Sequence, residues 1–328
     1  MKKTLAGFFL LFSTLLSYGQ FINGTVYDQK THEAIISASV YFNGTFKGTL
    51  TDKDGNFRIE NPKGTQMPLI ISALGYYSAT ITDYSASKPV IVNLAPKLFE
   101  LNEIVVSAKS HSWKRKQNLV VFRQEFLGRR GNALNCKILN EDDIKFKYDS
   151  NDTIKAWAIK PLTIENKALG YMITYYLDKF EFSLHDSSFF FQGNIQFSED
   201  MINNESKRLY FEKKRKLAYE GSRMQFFRAL WIDGLNAAGF TVKNPANETL
   251  DAKRIVIQDA SGKKYLKNPS NLSICYYSRT ASSVLIMLRE KVFFDDSGYY
   301  DPAGIRWEGT MAQQRIADWL PYEYVYKK

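Results

Sequence analysis

Three histidines, His32, His111 and His185, are the first residues to test for chemistry. Zinc peptidase chemistry needs imidazole and carboxylate ligands around an open metal position. An H-x-x-E ligand pair sets a carboxylate three residues after a histidine; here those positions hold Ile35, Lys114 and Ser188. Surface loops account for all three histidines. Asp52-Lys53-Asp54-Gly55-Asn56 starts like a calcium loop, but an EF-hand needs Gly at its sixth position and Glu at its twelfth. Those positions are Phe57 and Lys63, so a hairpin turn is the better account. Asp295, Asp296 and Asp301 surround Gly298 in a second acidic loop, read as an ordinary turn with a loose calcium site as the alternative. Tyr219-Glu220-Gly221-Ser222-Arg223 lacks the second glycine of G-x-S-x-G, and its serine is better used as a helix cap. No phosphate loop or dinucleotide fingerprint occurs. The sequence points to no catalytic residue, no metal and no cofactor.

The elements around these residues begin as short alternating runs. Val26-Tyr27 ends at Asp28, and Ser37 to Phe42 ends at Asn43-Gly44, a strong hairpin signal because both residues tolerate positive φ. Phe46 to Thr51 precedes the turn Asp52–Gly55, and Phe57 and Ile59 then alternate with Arg58. Pro62-Lys63-Gly64 turns the chain again before Leu69 to Ala73, Gly75 allows a sharp bend, and Val90, Val92 and Leu94 close the series. About seven short strands at this spacing predict an all-β sandwich.

The ordered residues Gly24, Val26, Asp28, Ala38, Val40, Gly44, Thr45, Gly48, Thr49, Thr51, Asp52, Gly55, Phe57, Gly75 and Tyr76 resemble the carboxypeptidase-regulatory-like domain. This transthyretin-like sandwich is common in envelope proteins of Bacteroidetes. The resemblance covers about Phe21 to Pro96. It implies a scaffold or interaction module without catalysis of its own.

Lys2, Lys3, the apolar run Leu5 to Leu16 and the small residues Ser17-Tyr18-Gly19 read as a signal peptide over residues 1–19. The apolar run is too short to span a membrane, no cysteine stands near the cut for a lipid anchor, and no later stretch reaches the ~20 apolar residues of a spanning helix. The expectation is export to the periplasm or the outer membrane, with secretion as the alternative. The formal net charge is +10. Residues 21–108 hold seven Lys and Arg against eight Asp and Glu, so the excess lies later. It gathers at Lys109, Lys114, Arg115, Lys116, Arg123, Arg129 and Arg130, and again at Lys207, Arg208 and Lys213 to Lys216. Export argues against nucleic acid. Weak contact of the basic linker with anionic lipid or acidic polysaccharide is one reading, and plain solvation is the other. Cys136 and Cys275 each sit in an apolar run; a bridge and two buried thiols both remain open.

Residues 20–97 form the expected sandwich and 98–125 a strand with a basic linker. Residues 126–328 form a β-rich α+β domain with an inserted helical hairpin. The run Leu98 to Ala108 resembles the junction that follows this sandwich in TonB-dependent receptors, but the remaining length cannot build a barrel of roughly 22 strands. Strands are expected at Ile154–Ile159, Tyr171–Leu177, Phe189–Phe197, Arg254–Gln258, Leu272–Tyr277 and Val284–Phe294. Lys207–Glu220 reads as helix. Ser222-Arg223-Met224-Gln225 caps a second one, with Met224, Phe227, Trp231 and Leu235 as its stripe and Gly239 as its end. Thr310-Met311-Ala312-Gln313 has the same cap form and predicts a last helix before Pro321. Pro161–Asn166, Leu169–Tyr171, Tyr219–Ser222 and Asp318–Pro321 resemble a C-terminal region that follows this sandwich in Bacteroidetes proteins of unknown function. The five tryptophans Trp113, Trp157, Trp231, Trp307 and Trp319 could stack on sugars or line interfaces; core packing is favoured for Trp231 and Trp319 on helical faces. Together these features predict a non-catalytic exported module that binds an envelope protein or glycan. A glycan- or peptide-processing hydrolase and a structural spacer are the alternatives.

Overall fold

The computed structural model describes residues 21–61, 67–97, 108–148, 152–199, 205–277 and 282–327, without the side chains of 108–113 and 199. The expected signal peptide, the turn at Pro62–Gly64 and the strand-like run 98–107 lie outside these residues.

The N-terminal unit is the seven-stranded sandwich that the turn spacing predicts. Its strands are β1 (Phe21–Asp28), β2 (Ser39–Phe42), β3 (Gly48–Leu50), β4 (Asn56–Glu60), β5 (Leu69–Ser72), β6 (Ala79–Ile81) and β7 (Val90–Leu94). One sheet has the order β4-β1-β7 and the other β3-β2-β5-β6. Alternation drives the burial. Phe57 and Ile59 of β4 turn inward while Arg58 faces water, and Val26, Val40, Leu69 and Val92 join them in the core.

The next unit opens with a correction. The basic linker is a helix, α1 (Ala108–Phe126), from Ala108 onward. It presents no continuous apolar stripe. Two phenylalanines at helical spacing, Phe122 and Phe126, anchor it on a sheet, with ring centroids 4.7 Å from Phe180 and 4.9 Å from Tyr175. That sheet holds β8 (Cys136–Ile138), β9 (Ile144–Tyr148), β10 (Thr153–Ala158), β11 (Leu162–Asn166), β12 (Tyr171–Ser183) and β13 (Phe189–Glu199). Its order is β8-β11-β12-β10-β9, with β13 along the other edge of β12.

The expected helical hairpin follows as α2 (Glu205–Tyr219) and α3 (Arg223–Trp231). Ser222 Oγ accepts from Gln225 N, while Gln225 Oε1 accepts from Gly221 N, one residue before the cap nitrogen of a standard capping box. Phe226, Phe227 and Leu230 carry the buried face of α3. Leu235 lies beyond the helix. Gly239 does not cap it, because α3 ends eight residues earlier at Trp231; its left-handed backbone instead leads into the next strand.

The third unit holds β14 (Phe240–Lys243), β15 (Thr249–Leu250), the short α4 (Ala252–Ile255), β16 (Val256–Gln258), β17 (Lys264–Leu266), β18 (Leu272–Tyr276), β19 (Ser283–Met287), β20 (Val292–Phe294) and β21 (Ile305–Gly309). They form sheets β15-β14-β18-β19-β21 and β16-β17-β20. Two expected strands change. Arg254–Gln258 starts as α4, because Asp251 caps Arg254 N. Val284–Phe294 splits into β19 and β20, which join different sheets.

The last expected helix is absent among the described residues; Met311–Gln313 and Ile316–Asp318 are single 3₁₀ turns. Thr310 already has helical φ/ψ and makes no side-chain cap bond, and Met311 N donates to Ser283 Oγ at 2.9 Å. Trp319 is therefore on extended backbone, not on a helical face. It still packs against the second unit's core, as Trp231 packs against the third's. Cys136 and Cys275 are free thiols in different sheets, and burial pushes the Cys136 thiol up to about 12.

The sandwich does not stand apart. Tyr299, from the loop after β20, is buried in the sandwich core, and Phe293 and Tyr322 pack against that core. Arg228 of α3 ties the closing segment down, donating to the carbonyls of Ser297, Tyr322 and Tyr324 at 2.8–3.0 Å.

Candidate functional site

The motif residues of the sandwich hold turns. Asp28 Oδ1 accepts from Lys30 N and Thr31 N, and Oδ2 accepts from Tyr76 OH at 2.8 Å. These bonds, the backbone ones foremost, hold the Asp28 carboxyl below its usual range and tie the two ends of the motif together. Thr51 Oγ1 donates to Ile35 O and accepts from Ala38 N. Asp52 Oδ1 accepts from Asp54 N and Asn56 N, a self-contained hairpin turn that also includes Gly55 N bonded to Asp52 O. Val26 and Phe57 are core residues, Gly24 packs under the Phe57 ring and the Val90 carbonyl, and Gly75 precedes Tyr76 at a bend.

Gly44, Thr45 and Gly48 do something further: they meet the second unit. Gly44 N donates to Ile195 O, Phe197 N donates to Thr45 O, and Ile195 N donates to Asn43 Oδ1. A Cβ on Gly44, at φ +78, would lie 2.6 Å from the Tyr322 ring, and one on Gly48 would lie 2.3 Å from the Gln196 amide. These glycines let β13 and the closing segment seat against the hairpin tip.

Beside this seam lies a cleft of about 540 Å³ walled by all three units. Thr80 of the edge strand β6 lines it, with Ser78 and Thr82 from the residues flanking that strand. Gln192, Gly193 and Asn194 line it from β13, and Asn43 from the hairpin tip. Ile195 and Phe197 use their outward peptide groups on the sandwich, so the strand repeat turns those of Gly193 outward on the same edge. Opposite Gly193 the β12–β13 register shifts between Leu177 and Lys179. This bulge takes Asp178 out of the ladder and sets it in the cleft wall. A side chain at 193 would run into the Tyr176 carbonyl at 2.2 Å, so the bulge requires glycine there. Asp178 also borders a smaller recess with Gly75, Tyr76 and Lys97.

The third unit supplies an aromatic wall. Tyr265 and Phe293 stand 6.0 Å apart and Phe293 and Tyr299 6.1 Å apart, with Lys291 Nζ 4.4 Å from the Tyr265 centroid. Lys263 and Asp301 complete the rim. Crowding by the walls raises the Asp178 pKa although its side chain still reaches water, and Lys97 opposes the rise. Asp301 is occupied structurally, accepting from Arg289 Nη1 at 2.6 Å and from Ala303 N at 3.0 Å.

The acidic loop of Asp295, Asp296 and Asp301 does not converge on one point. Asp295 is 3 % exposed, and its Oδ1 accepts from Ser297 N, Ser297 Oγ and Tyr299 N. Its Oδ2 is buried without a hydrogen-bond partner. Burial pushes its carboxyl up to about 6. No group of three metal-ligating side chains gathers among the described residues. His32 and His185 lie exposed, and no helix among the described residues is long and apolar enough to cross a membrane.

Trp157, Trp231, Trp307 and Trp319 do not line the cleft; its rings are Tyr265, Phe293 and Tyr299. Asp178 and Gly193 carry a signal in the sequence that the expected strand Tyr171–Leu177 stops short of. Tyr171, Ile173, Tyr175 and Leu177 alternate inward, and then Phe180 and Phe182 continue one residue out of phase. That slip marks the bulge.

Residues 22–106 match the family model for the CarboxypepD_reg-like domain, a kind of domain without catalysis of its own. No curated protein matches the sequence. Among solved structures, a candidate carbohydrate-binding protein from Bacteroides uniformis is 10% identical over 55% of this chain and 78% of its own, with a TM-score of 0.19. A candidate membrane-associated protein of unknown function from Bacteroides fragilis is 11% identical over 88% and 94%, with a TM-score of 0.19. A 9R-lipoxygenase from Cyanothece is 10% identical over 67% and 48%, with a TM-score of 0.20. Similarity at this level identifies no ligand.

Proposed function

We propose that this chain is a non-catalytic, exported envelope protein that binds a glycan in the cleft between its three units. One observation carries the reading: three aromatic rings and a set of hydroxyls, amides and a carboxylate line one cleft of about 540 Å³. A sugar offers C–H faces that pack on rings and hydroxyls that need both donors and acceptors. Tyr265 and Phe293 supply the rings; Thr80, Asn194 and Asp178 supply the polar partners. The match of the sandwich to a non-catalytic domain family supports a binding role.

The test is calorimetric titration of the purified chain with envelope glycan fractions. Binding is expected, and Tyr265→Ala is expected to weaken it by about tenfold through the lost ring face. Unchanged binding in both Tyr265→Ala and Asp178→Asn would remove the cleft from the reading. One observation favours a hydrolase instead: Asp178 and Asp301 line the same cleft, and a raised carboxyl suits a general acid. Release of reducing ends by wild type, lost in Asp178→Asn, would replace binding with hydrolysis.

A further inference from the structure

The two basic stretches of the sequence fold into helices that dispose of their charge differently. On α1, Arg115 donates to the carbonyls of Ile144 and Glu141, and Arg123 pairs with the Glu141 carboxylate. Just beyond its end, Arg129 pairs with Glu125. Those arginines hold the fold together.

On α2 the basic residues Lys207, Arg208, Lys213, Lys214, Arg215 and Lys216 outnumber Glu205 and Glu212. Both acids are engaged at the flanks, Glu205 with Arg208 and Glu212 with Lys327. Phe211, Arg215 and Tyr219 form the buried face. At 3.6 residues per turn, the opposite line carries Leu209, Tyr210, Lys213 and Leu217. Leu209 and Leu217 are each 59% exposed, and Tyr210 is 45% exposed. Lys213 stands between the two leucines, and Lys214 leans over the Tyr210 ring at 5.8 Å.

Beyond the glycan reading, and independent of it, we infer that this face of α2 docks on the surface of an anionic lipid bilayer. Positive charge alone fits any polyanion. Two leucines and a tyrosine on the outermost line fit a surface with an apolar layer beneath its charges, where an interfacial helix buries its side chains. An acidic polysaccharide gives the leucines nothing to enter. A second copy of this chain would set lysines against lysines. The α2 helix is about 22 Å long and can lie flat with Leu209 and Leu217 about 12 Å apart.

Vesicle flotation tests this with the purified chain and vesicles of phosphatidylcholine alone or mixed with phosphatidylglycerol. The chain is expected to float only with the anionic vesicles and to come off as salt rises. Lys213→Glu with Lys214→Glu is expected to lower partitioning by about thirtyfold or more, at about fivefold per lost lysine. Leu209→Ser with Leu217→Ser is expected to lower it by about tenfold with the salt dependence kept. The same reversal on α1, Lys114→Glu with Lys116→Glu, is expected to change nothing. Lys214 is half-buried and the other substituted side chains are exposed, and an unchanged thermal unfolding midpoint checks the fold of each variant. Equal flotation with neutral vesicles overturns the inference. So does wild-type flotation of the α2 charge variant, or a loss on α1 as large as on α2. If the leucine variant floats like wild type, and the chain sediments equally with polygalacturonate, the surface is a general polyanion site and the inference fails.

Discussion

Two turns of the sandwich are built from the same kinds of residue and serve opposite ends. The turn at Asp52–Gly55 closes on itself: Asp52 takes the amides of Asp54 and Asn56, and its side chain faces water. The turn at Asn43–Gly44 faces the rest of the molecule. Its side-chain and backbone groups bond Ile195, and Tyr322 N donates to Gly44 O. Turn chemistry dictates where the chain bends. What lies across the bend depends on residues about 150 and 280 positions later, which no local pattern encodes.

If the docked turn belongs to a shared core, damage beyond the sandwich must reach it. The largest effect is expected for Tyr299→Ala. Tyr299 sits in the sandwich core and packs edge-on against Tyr322 at 5.7 Å. Its loss is expected to cost about 3–5 kcal/mol. Urea unfolding followed by tryptophan fluorescence, which reports the later units, and by proteolysis within residues 21–97 is expected to show both transitions moving down together. A sandwich that keeps its wild-type midpoint would break the comparison.

The next effect depends on pH. Asp295 lies in the same loop, and its Ser297 neighbour points Oγ towards Met67 Sδ of the sandwich at 3.9 Å. Its folded pKa of about 6 lies above the ordinary 3.8, so the folded state favours the protonated form. Stability is full below about pH 4, falls as pH rises to about 6, and is flat beyond, a total on the order of 3 kcal/mol. Asp295→Asn, which cannot ionise, is expected to remove that slope in urea midpoints taken from pH 4 to 7. A slope that survives in the variant assigns the titration elsewhere.

The smallest pair sharpens the contrast most directly. Asn43→Ala strands the Ile195 amide at the seam and is expected to cost about 1–3 kcal/mol. Asp52→Ala at the exposed turn is expected to shift the midpoint by less. Equal shifts would mean that the two turns are not different in kind.

The sandwich was legible because several of its strands end at residues whose own backbone preference makes the turn. Asn43-Gly44, Asp52–Gly55 and Gly75 all mark real boundaries. The α1 helix was hidden because Phe122 and Phe126 are its only fully buried apolar side chains among those described, and two residues make no periodicity. The Thr310 cap pattern failed for a tertiary reason: Ser283, a strand away, takes the Met311 amide. The cleft was half legible. The phase slip after Leu177 foretells the bulge and Asp178, but nothing local brings Tyr265 and Phe293 into one cleft with Thr80.

Tyr299 also sets a schedule. The sandwich strands leave the ribosome about two hundred residues before the ring that completes their core, a lag on the order of 10–40 s at bacterial elongation rates. Until then the sandwich core lacks one of its buried side chains. A sandwich core of this design is complete only once the last third of the chain has been made.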